Sequence, residues 1–389
     1  MGTLGFSITS PLLPDLADAL GVNPGAIGLV QAAVSIPGVL LSALIGWTAD
    51  RVGRRRVVLT SLILFATAGS AGFVARSYWL LVGARIVQGI GTSGILGLSI
   101  VVVGDLFTGA ARTKAMGINL TGLTVVNMAG PVMSGFIGEA DPFRPFLIFL
   151  IGFPLAIWAT RMPVEPRRGV TSPLAHASEA IAVMRRNRQL VDFVGVLGIT
   201  MATTVLLHGF GFTTTPLYLD SVFGISADGR GLIIASFQVG TALAALQIGR
   251  LRSRQPGSRL VEWALILMGV GAAVTAVAPY WWFVSIGLGI SGIGFGLFVP
   301  LAQDRAASVG GEQYRGLTVL MWVTFVRIAQ TIGPPAGSAM SVGLGPRVTF
   351  GLAAAGMMVA AVSWKAIRAW ATGRAAFPDT QERRRKEPR

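Results

Sequence analysis

Residues 36–65 read IPGVLLSALIGWTADRVGRRRVVLTSLILF. An apolar run closes at Gly46 and Trp47, one aspartate and four arginines fall between Asp50 and Arg56, and a second apolar run opens at Val57. Both runs are apolar on every helical face, whereas a helix on a soluble core needs only one apolar stripe. A charged turn between two such runs marks a chain that crosses hydrocarbon, turns in water and crosses back. Further windows of ~20 apolar residues, enough to cross ~30 Å as helix, recur on both sides of this stretch. They place spans near 2–20, 26–48, 57–75, 78–105, 115–137, 145–161, 191–218, 229–249, 260–278, 281–303, 316–342 and 347–368, twelve in all. The runs lack the alternation of barrel strands, so only helices satisfy their backbone in lipid. The expected fold is an all-α polytopic membrane protein. Its first span is the weak one, because Pro14, Asp15 and Asp18 follow Leu12 closely. That helix is either short or truncated at its start.

Composition agrees. Hydrophobic residues make up 52% and charged residues 13% of 389, about half the ~25% charge of soluble domains. The 51 glycines suit membrane helices that pack closely. Without cysteine there are no disulfides, thiolate metal sites or cysteine nucleophiles. A net charge of +15 would point to nucleic acid if it lay on one face of a soluble domain, but here it falls in islands between spans. Of the 32 lysines and arginines, 26 lie in islands on the side of the central loop and tail. Four (Arg76, Arg144, Arg230 and Arg347) lie in loops on the other side, and Arg85 and Arg327 lie inside spans. The positive-inside rule then puts both termini in the cytoplasm and the chain in the plasma membrane.

The chain divides into an N-terminal six-helix bundle (1–161), a cytoplasmic linker (162–190), a C-terminal six-helix bundle (191–368) and a basic tail (369–389). The linker holds Pro163, Pro166 and Pro173, and the tail fits the anionic inner leaflet. The two bundles repeat. An offset of 203 aligns Gly46 with Gly249, Arg56 with Arg259, Arg112 with Arg315, and Gly130-Pro131 with Gly333-Pro334. Gly89, Gly91 and Gly94 match Gly287, Gly289 and Gly292 at an offset of 198. Duplicated bundles can rock about a midplane site and open it to either side in turn.

The segment Gly46-Trp-Thr-Ala-Asp50-Arg51-Val-Gly53-Arg54-Arg55-Arg56 resembles motif A of the major facilitator superfamily, with Thr48 where that family usually has leucine. The resemblance covers essentially the whole chain and is nearest to the drug or metabolite:proton antiporter branch. It implies that Asp50, Arg51, Arg54 and Arg55 latch the bundles on the inside, and that Asp105 is their acidic partner. Arg85, Gln88 and Gly89 resemble the family's charged motif in the fourth span. A guanidinium there either faces the bundle with a polar partner or snorkels to the headgroups. Gly130, Pro131 and Gly135 resemble the antiporter motif of the fifth span, although Val126 and Ser134 stand where glycines are usual. They serve either antiport or close packing alone.

Titratable groups in mid-span are few. His208, set before Gly209-Phe-Gly211-Phe212 and Thr213-Thr-Thr-Pro216, is the candidate for the proton or substrate cavity, with Phe212 and Arg327. Few asparagines and glutamines lie in the spans, too few for a sugar or nucleoside, whereas the aromatic side chains suit a hydrophobic or cationic compound. The Gly89 and Gly287 runs spell the dinucleotide fingerprint, but inside membrane spans they read as helix packing. The expected function is therefore secondary active transport by alternating access, as proton-coupled efflux of a drug-like compound or metabolite. Import or facilitated diffusion of a small metabolite, or a non-transporting membrane sensor, stand as alternatives. Partners are a small molecule, protons and the lipid bilayer, with a monomer expected. No cofactor, metal or catalytic cluster is expected.

Overall fold

The computed structural model describes residues 4–107, 109–161, 190–309 and 311–375. The side chains of Asp50 and Asp105, among others, the surroundings of Gly46, and residues 162–189 of the predicted linker lie outside the described set. Among the described residues the regular structure is helical throughout, and a helical segment occupies each of the twelve predicted positions. In the first half these are α1 (residues 4–20), α2 (residues 28–52), α3 (Arg54–Ala71), α4 (Tyr78–Leu106), α5 (Gly109–Gly138) and α6 (Arg144–Ala159). The second half holds α7 (Leu190–Phe223), α8 (Ala227–Arg254), α9 (Gly257–Ala276), α10 (Trp281–Val309), α11 (Gly311–Leu344) and α12 (Pro346–Ala375). Seven of them, α4 and α7 to α12, are long and apolar enough on their own to cross a membrane.

Local chemistry explains the breaks. Pro11 and Pro14 interrupt α1, which passes through a tighter turn at Ser10–Leu12 before Gly21 ends it in the left-handed region. Gly53, at φ +105°, makes the turn from α2 to α3 that an L side chain would resist, and so accounts for the glycine in the arginine-rich loop. Several helix ends run a few residues past the expected spans, and two of these move a domain boundary or a charged residue. The helix of α12 runs to Ala375, beyond the expected start of the tail at 369. Arg230, counted above with the loops, lies inside α8 and is buried. Its two carboxylate partners, described below, let the helix begin early enough to enclose it.

Glycine sets how closely the helices approach. Gly91 lies against the Ser61 carbonyl of α3 and Gly89 against the Val34 carbonyl, while Gly292 lies against the Phe237 carbonyl of α8 and Gly294 against that of Ala264 in α9. Each glycine run thus packs one central helix between two neighbours, as expected for packing rather than for nucleotide binding.

Two crossings join the halves. A Cβ at Gly231 of α8 would strike the Pro131 carbonyl of α5, and a Cβ at Gly28 of α2 would strike the Pro334 carbonyl of α11. Gly28 and Gly231 are 203 residues apart, as are Pro131 and Pro334, so the offset of the sequence repeat recurs as a pair of equivalent contacts. Proline at these points bends the helix and glycine opposite removes the bulk, which brings two backbones together.

Gly28→Val and Gly231→Val are each expected to destabilise the purified protein by ~1–3 kcal/mol through overpacking. Gly97→Val, at a position with nothing within 4 Å, is expected to leave the thermal unfolding midpoint unchanged. A midpoint lowered by only one of the two valines would refute their equivalence.

Candidate functional site

The middle of α7 departs from α-helical geometry. Residues Leu207–Thr214 form a wide π-helical segment, a feature that concentrates at functional sites. Its cause is readable in the side chains. Thr213, Thr214 and Thr215 each donate to the carbonyl five residues earlier, those of His208, Gly209 and Phe210, at 2.8, 3.1 and 3.2 Å. Pro216 has no N–H for the Phe212 carbonyl. That carbonyl instead accepts from Ser10 of α1 at 2.5 Å. The widened turn is also fixed from outside, because Thr214 donates to the Gly337 carbonyl of α11 at 3.0 Å and Thr213 to Gln31 Oε1 of α2 at 2.6 Å.

The segment turns His208 into the junction of the halves. Nδ1 lies 3.1 Å from the Thr204 carbonyl, so it carries the proton and donates. Nε2 is then free to accept from Gln330 Nε2 at 3.2 Å. The other end of that amide, Oε1, accepts from Arg327 Nη1 at 3.5 Å. One direction of donation thus runs from Arg327 through Gln330 and His208 to Thr204. Around it the rings form a row across the junction: Phe6 on His208 at 5.4 Å between centroids, His208 on Phe212 at 5.6 Å, Phe212 on Phe237 at 5.4 Å and Phe237 on Phe295 at 5.5 Å. The three residues singled out for a cavity, His208, Phe212 and Arg327, therefore fall together. Gln330, Gln31, Phe6 and Thr213 belong to the same cluster, and the unbroken Thr213-Thr-Thr-Pro216 run is the signal that could have pointed to it.

Arg85 lies inside the first bundle, 1% exposed, and does not snorkel. It donates to the Val30 carbonyl at 3.3 Å, Gln88 Oε1 at 2.6 Å, Thr9 Oγ1 at 3.3 Å and the Gly5 carbonyl. Phe146 and Phe149 lie about 6 Å from its guanidinium carbon, at 5.9 and 5.8 Å. Gly89 brings α4 against the carbonyl of Val34. The motif's three residues thus tie α1, the start of α2 and α4 together.

At the arginine-poor end a second buried cation spans the halves. Arg230 pairs with Asp220 at 2.7 Å within the second half and with Asp15 of α1 in the first. Nearby, Ser338 of α11 donates to the Gly25 carbonyl at 2.7 Å. The antiporter-like residues sit on the same junction: Gly130 faces Ser7 of α1, Pro131 faces Gly231, and Gly135 faces the Ala227 carbonyl. Sequence reasoning missed the Asp15–Arg230–Asp220 cluster because its members are far apart in the chain and each reads alone as a loop charge.

The arginine-rich end differs. Its described ion pairs, Arg252–Asp304 at 2.9 Å and Arg305–Asp192 at 2.6 Å, both stay within the second half. A cleft of about 410 Å³ opens beside them, walled by α7, α8, α9, α10 and α12 of the second half. In the motif A loop, the Arg51 guanidinium stacks on Trp47 at 4.0 Å. The side chains of Asp50 and Asp105 and the surroundings of Gly46 lie outside what is described, and so does any pairing between the two acids and Arg51, Arg54 or Arg55.

The family model of the Major Facilitator Superfamily matches residues 1–229 and 197–388. Multidrug resistance protein 2 of Bacillus subtilis (strain 168) is 23% identical over 347 residues, covering 86% of this chain and 84% of that protein. The bacillibactin exporter of the same organism is 22% identical over 361 residues, covering 87% and 86%. Among solved structures, a D-xylose–proton symporter superposes with a TM-score of 0.76 at 17% identity, over 93% of this chain and 94% of that one. A duplicated helical chain closed by glycine–proline crossings, matched by the family model in both halves, belongs to the Major Facilitator Superfamily.

Proposed function

We propose that this chain is a proton-coupled exporter of drug-like amphiphilic compounds or metabolites, working by alternating access in the plasma membrane. The observation that carries the reading is the His208–Gln330–Arg327 network with its aromatic row. It lies at the junction of two repeated halves, where only a substrate passing between them would meet it. In this reading residues 1–161 rock against 191–368, the linker and the arginine-rich ends face the cytoplasm, and the Asp15–Arg230–Asp220 cluster closes the outer end. The state described is then sealed outside, which suits loading from the cytoplasm. Relatives named for multidrug resistance and for export support the outward direction. The fold itself does not decide it, since a D-xylose–proton symporter shares it. The small number of polar side chains in the row supports an apolar substrate body.

Each motif has a part. Asp50 with Arg51, Arg54 and Arg55, turned by Gly46 and Gly53 and answered by Asp105, forms the inner latch of the opposite state. Arg85, Gln88 and Gly89 hold the core of the first bundle. Gly130, Pro131 and Gly135 supply the bend about which α5 and α8 move.

In energised, efflux-deficient cells, expression is expected to drive efflux of a fluorescent amphiphilic dye that collapses with a protonophore and is absent in the Asp50→Asn variant. Full efflux from that variant would refute the latch. Efflux indifferent to the protonophore would favour a facilitator.

The outer seal is tested separately, because a chain without cysteine takes an introduced pair cleanly. A Cβ at Gly25 lies 3.7 Å from the Cα of Ala339, so Gly25→Cys with Ala339→Cys is expected to form a disulfide in the sealed state. Adding Asp15→Asn weakens the seal, and a loss of ~1.4 kcal/mol shifts closed against open about tenfold. Disulfide formation is then expected to slow in proportion. An unchanged rate would remove Arg230 from the gate.

A further inference from the structure

Three arginines are buried among the described residues, and their surroundings differ in kind. Arg85 is satisfied by carbonyl, amide and hydroxyl oxygens on α1, α2 and α4. Arg230 is neutralised by Asp15 and Asp220. Arg327, 8% exposed, has one described hydrogen bond, to Gln330 at 3.5 Å, the outer limit for such a bond. A guanidinium carries five N–H donors and keeps its charge. Buried in the membrane, it needs an anion or a shell of oxygens.

No described carboxylate supplies that anion. None of the buried side chains described is an aspartate or glutamate. The described acids, Asp15, Asp18, Glu139, Asp141, Asp192, Asp220, Asp228, Glu262 and Asp304, lie at helix ends or in loops. Arg327, by contrast, is the seventeenth residue of the 34 in α11, halfway along the helix. It projects onto the other half: a Cβ at Gly38 of α2 would lie 3.3 Å from Arg327 Cδ and 3.2 Å from Ser93 Oγ of α4. Glycine at 38 leaves the guanidinium its room. Through Gln330 it is joined to His208 and to the row of Phe6, Phe212, Phe237 and Phe295.

We propose that Arg327 binds the acidic group of the transported compound, so that the substrate is an amphiphilic organic anion whose apolar body lies along the aromatic row. The inference deepens the exporter reading and rests on it for the word transported. A carboxylate or sulfonate meets the planar fork of the guanidinium through two parallel bonds. Gln330 then holds the fork in orientation, and His208, itself fixed by the Thr204 carbonyl, holds the Gln330 amide from the other side. A lipophilic cation would meet a like charge at mid-membrane and no described buried acid to offset it.

The test is equilibrium dialysis of the full chain in lipid nanodiscs, read against empty nanodiscs, with three probes: 4-phenylbutyrate, its uncharged amide, and tetraphenylphosphonium. Wild type is expected to bind the acid at least about tenfold more tightly than the amide, equivalent to ~1.4 kcal/mol, and to bind the phosphonium least. Arg327→Gln is expected to lose that preference and Arg327→Lys to keep part of it. Equal binding of acid and amide by wild type would overturn the proposal whether or not the glutamine variant folds. So would tighter binding of the phosphonium, or wild-type preference in a folded Arg327→Gln chain. Proton release from acidified inverted vesicles on adding each probe separates the two readings. Arg327-dependent binding of the acid with no proton release would sink the exporter and leave the anion site standing. Release driven by the phosphonium alone would keep the exporter and discard the anion.

Discussion

A guanidinium cannot be left bare in hydrocarbon, and the three buried arginines of this chain show what that constraint builds. Each must find oxygen or negative charge, and lipid supplies neither at mid-depth. Arg85 meets the need with backbone and side-chain oxygens, which is possible because α1 and the start of α2 are broken and expose carbonyls. The irregularity of those two helices and the burial of Arg85 are therefore one feature. Arg230 meets the need with carboxylates drawn from two halves of the chain, which turns a solvation requirement into a seal. Arg327 is the exception, and its exception falls at the junction where a transported molecule would pass.

The seal and the site depend on how closely the halves can approach. Backbone contact at Gly28 and Gly231 brings α2 against α11 and α5 against α8, and the proline in each partner supplies the bend. Larger side chains there would hold the halves apart and leave Asp15 short of Arg230. The two crossings are equivalent under the repeat, and the His208–Gln330–Arg327 network lies at the same junction. Packing by small residues suits motion of the halves, since two glycine-lined backbones slide with little side-chain interlocking to undo.

Much of the fold was legible because hydrocarbon imposes a simple rule on sequence: every crossing must be apolar, long enough and helical. The twelve segments, the glycine-lined middle helices and the repeat at 203 all follow from counting. Parts of the site were legible as well. His208, Phe212 and Arg327 stood out because polar side chains are scarce in apolar spans, and Arg85 because a charge there demands partners. Its snorkelling alternative failed once carbonyls of the broken α1 and α2 proved to lie within reach. Arg230 was misread as a loop residue, since one-dimensional hydropathy places the end of a span only to within a few residues.

Composition, span length and charge asymmetry determined by themselves that the chain is a helical membrane protein, because each is a local requirement that a single segment either meets or fails. Only the tertiary structure decided which charges meet. Asp15 and Arg230 are 215 residues apart, Gln330 and His208 are 122 apart, and no local pattern relates such residues. Their contacts arise where the two halves close on each other, and the same closure decides that Arg230 meets two carboxylates while Arg327 meets Gln330.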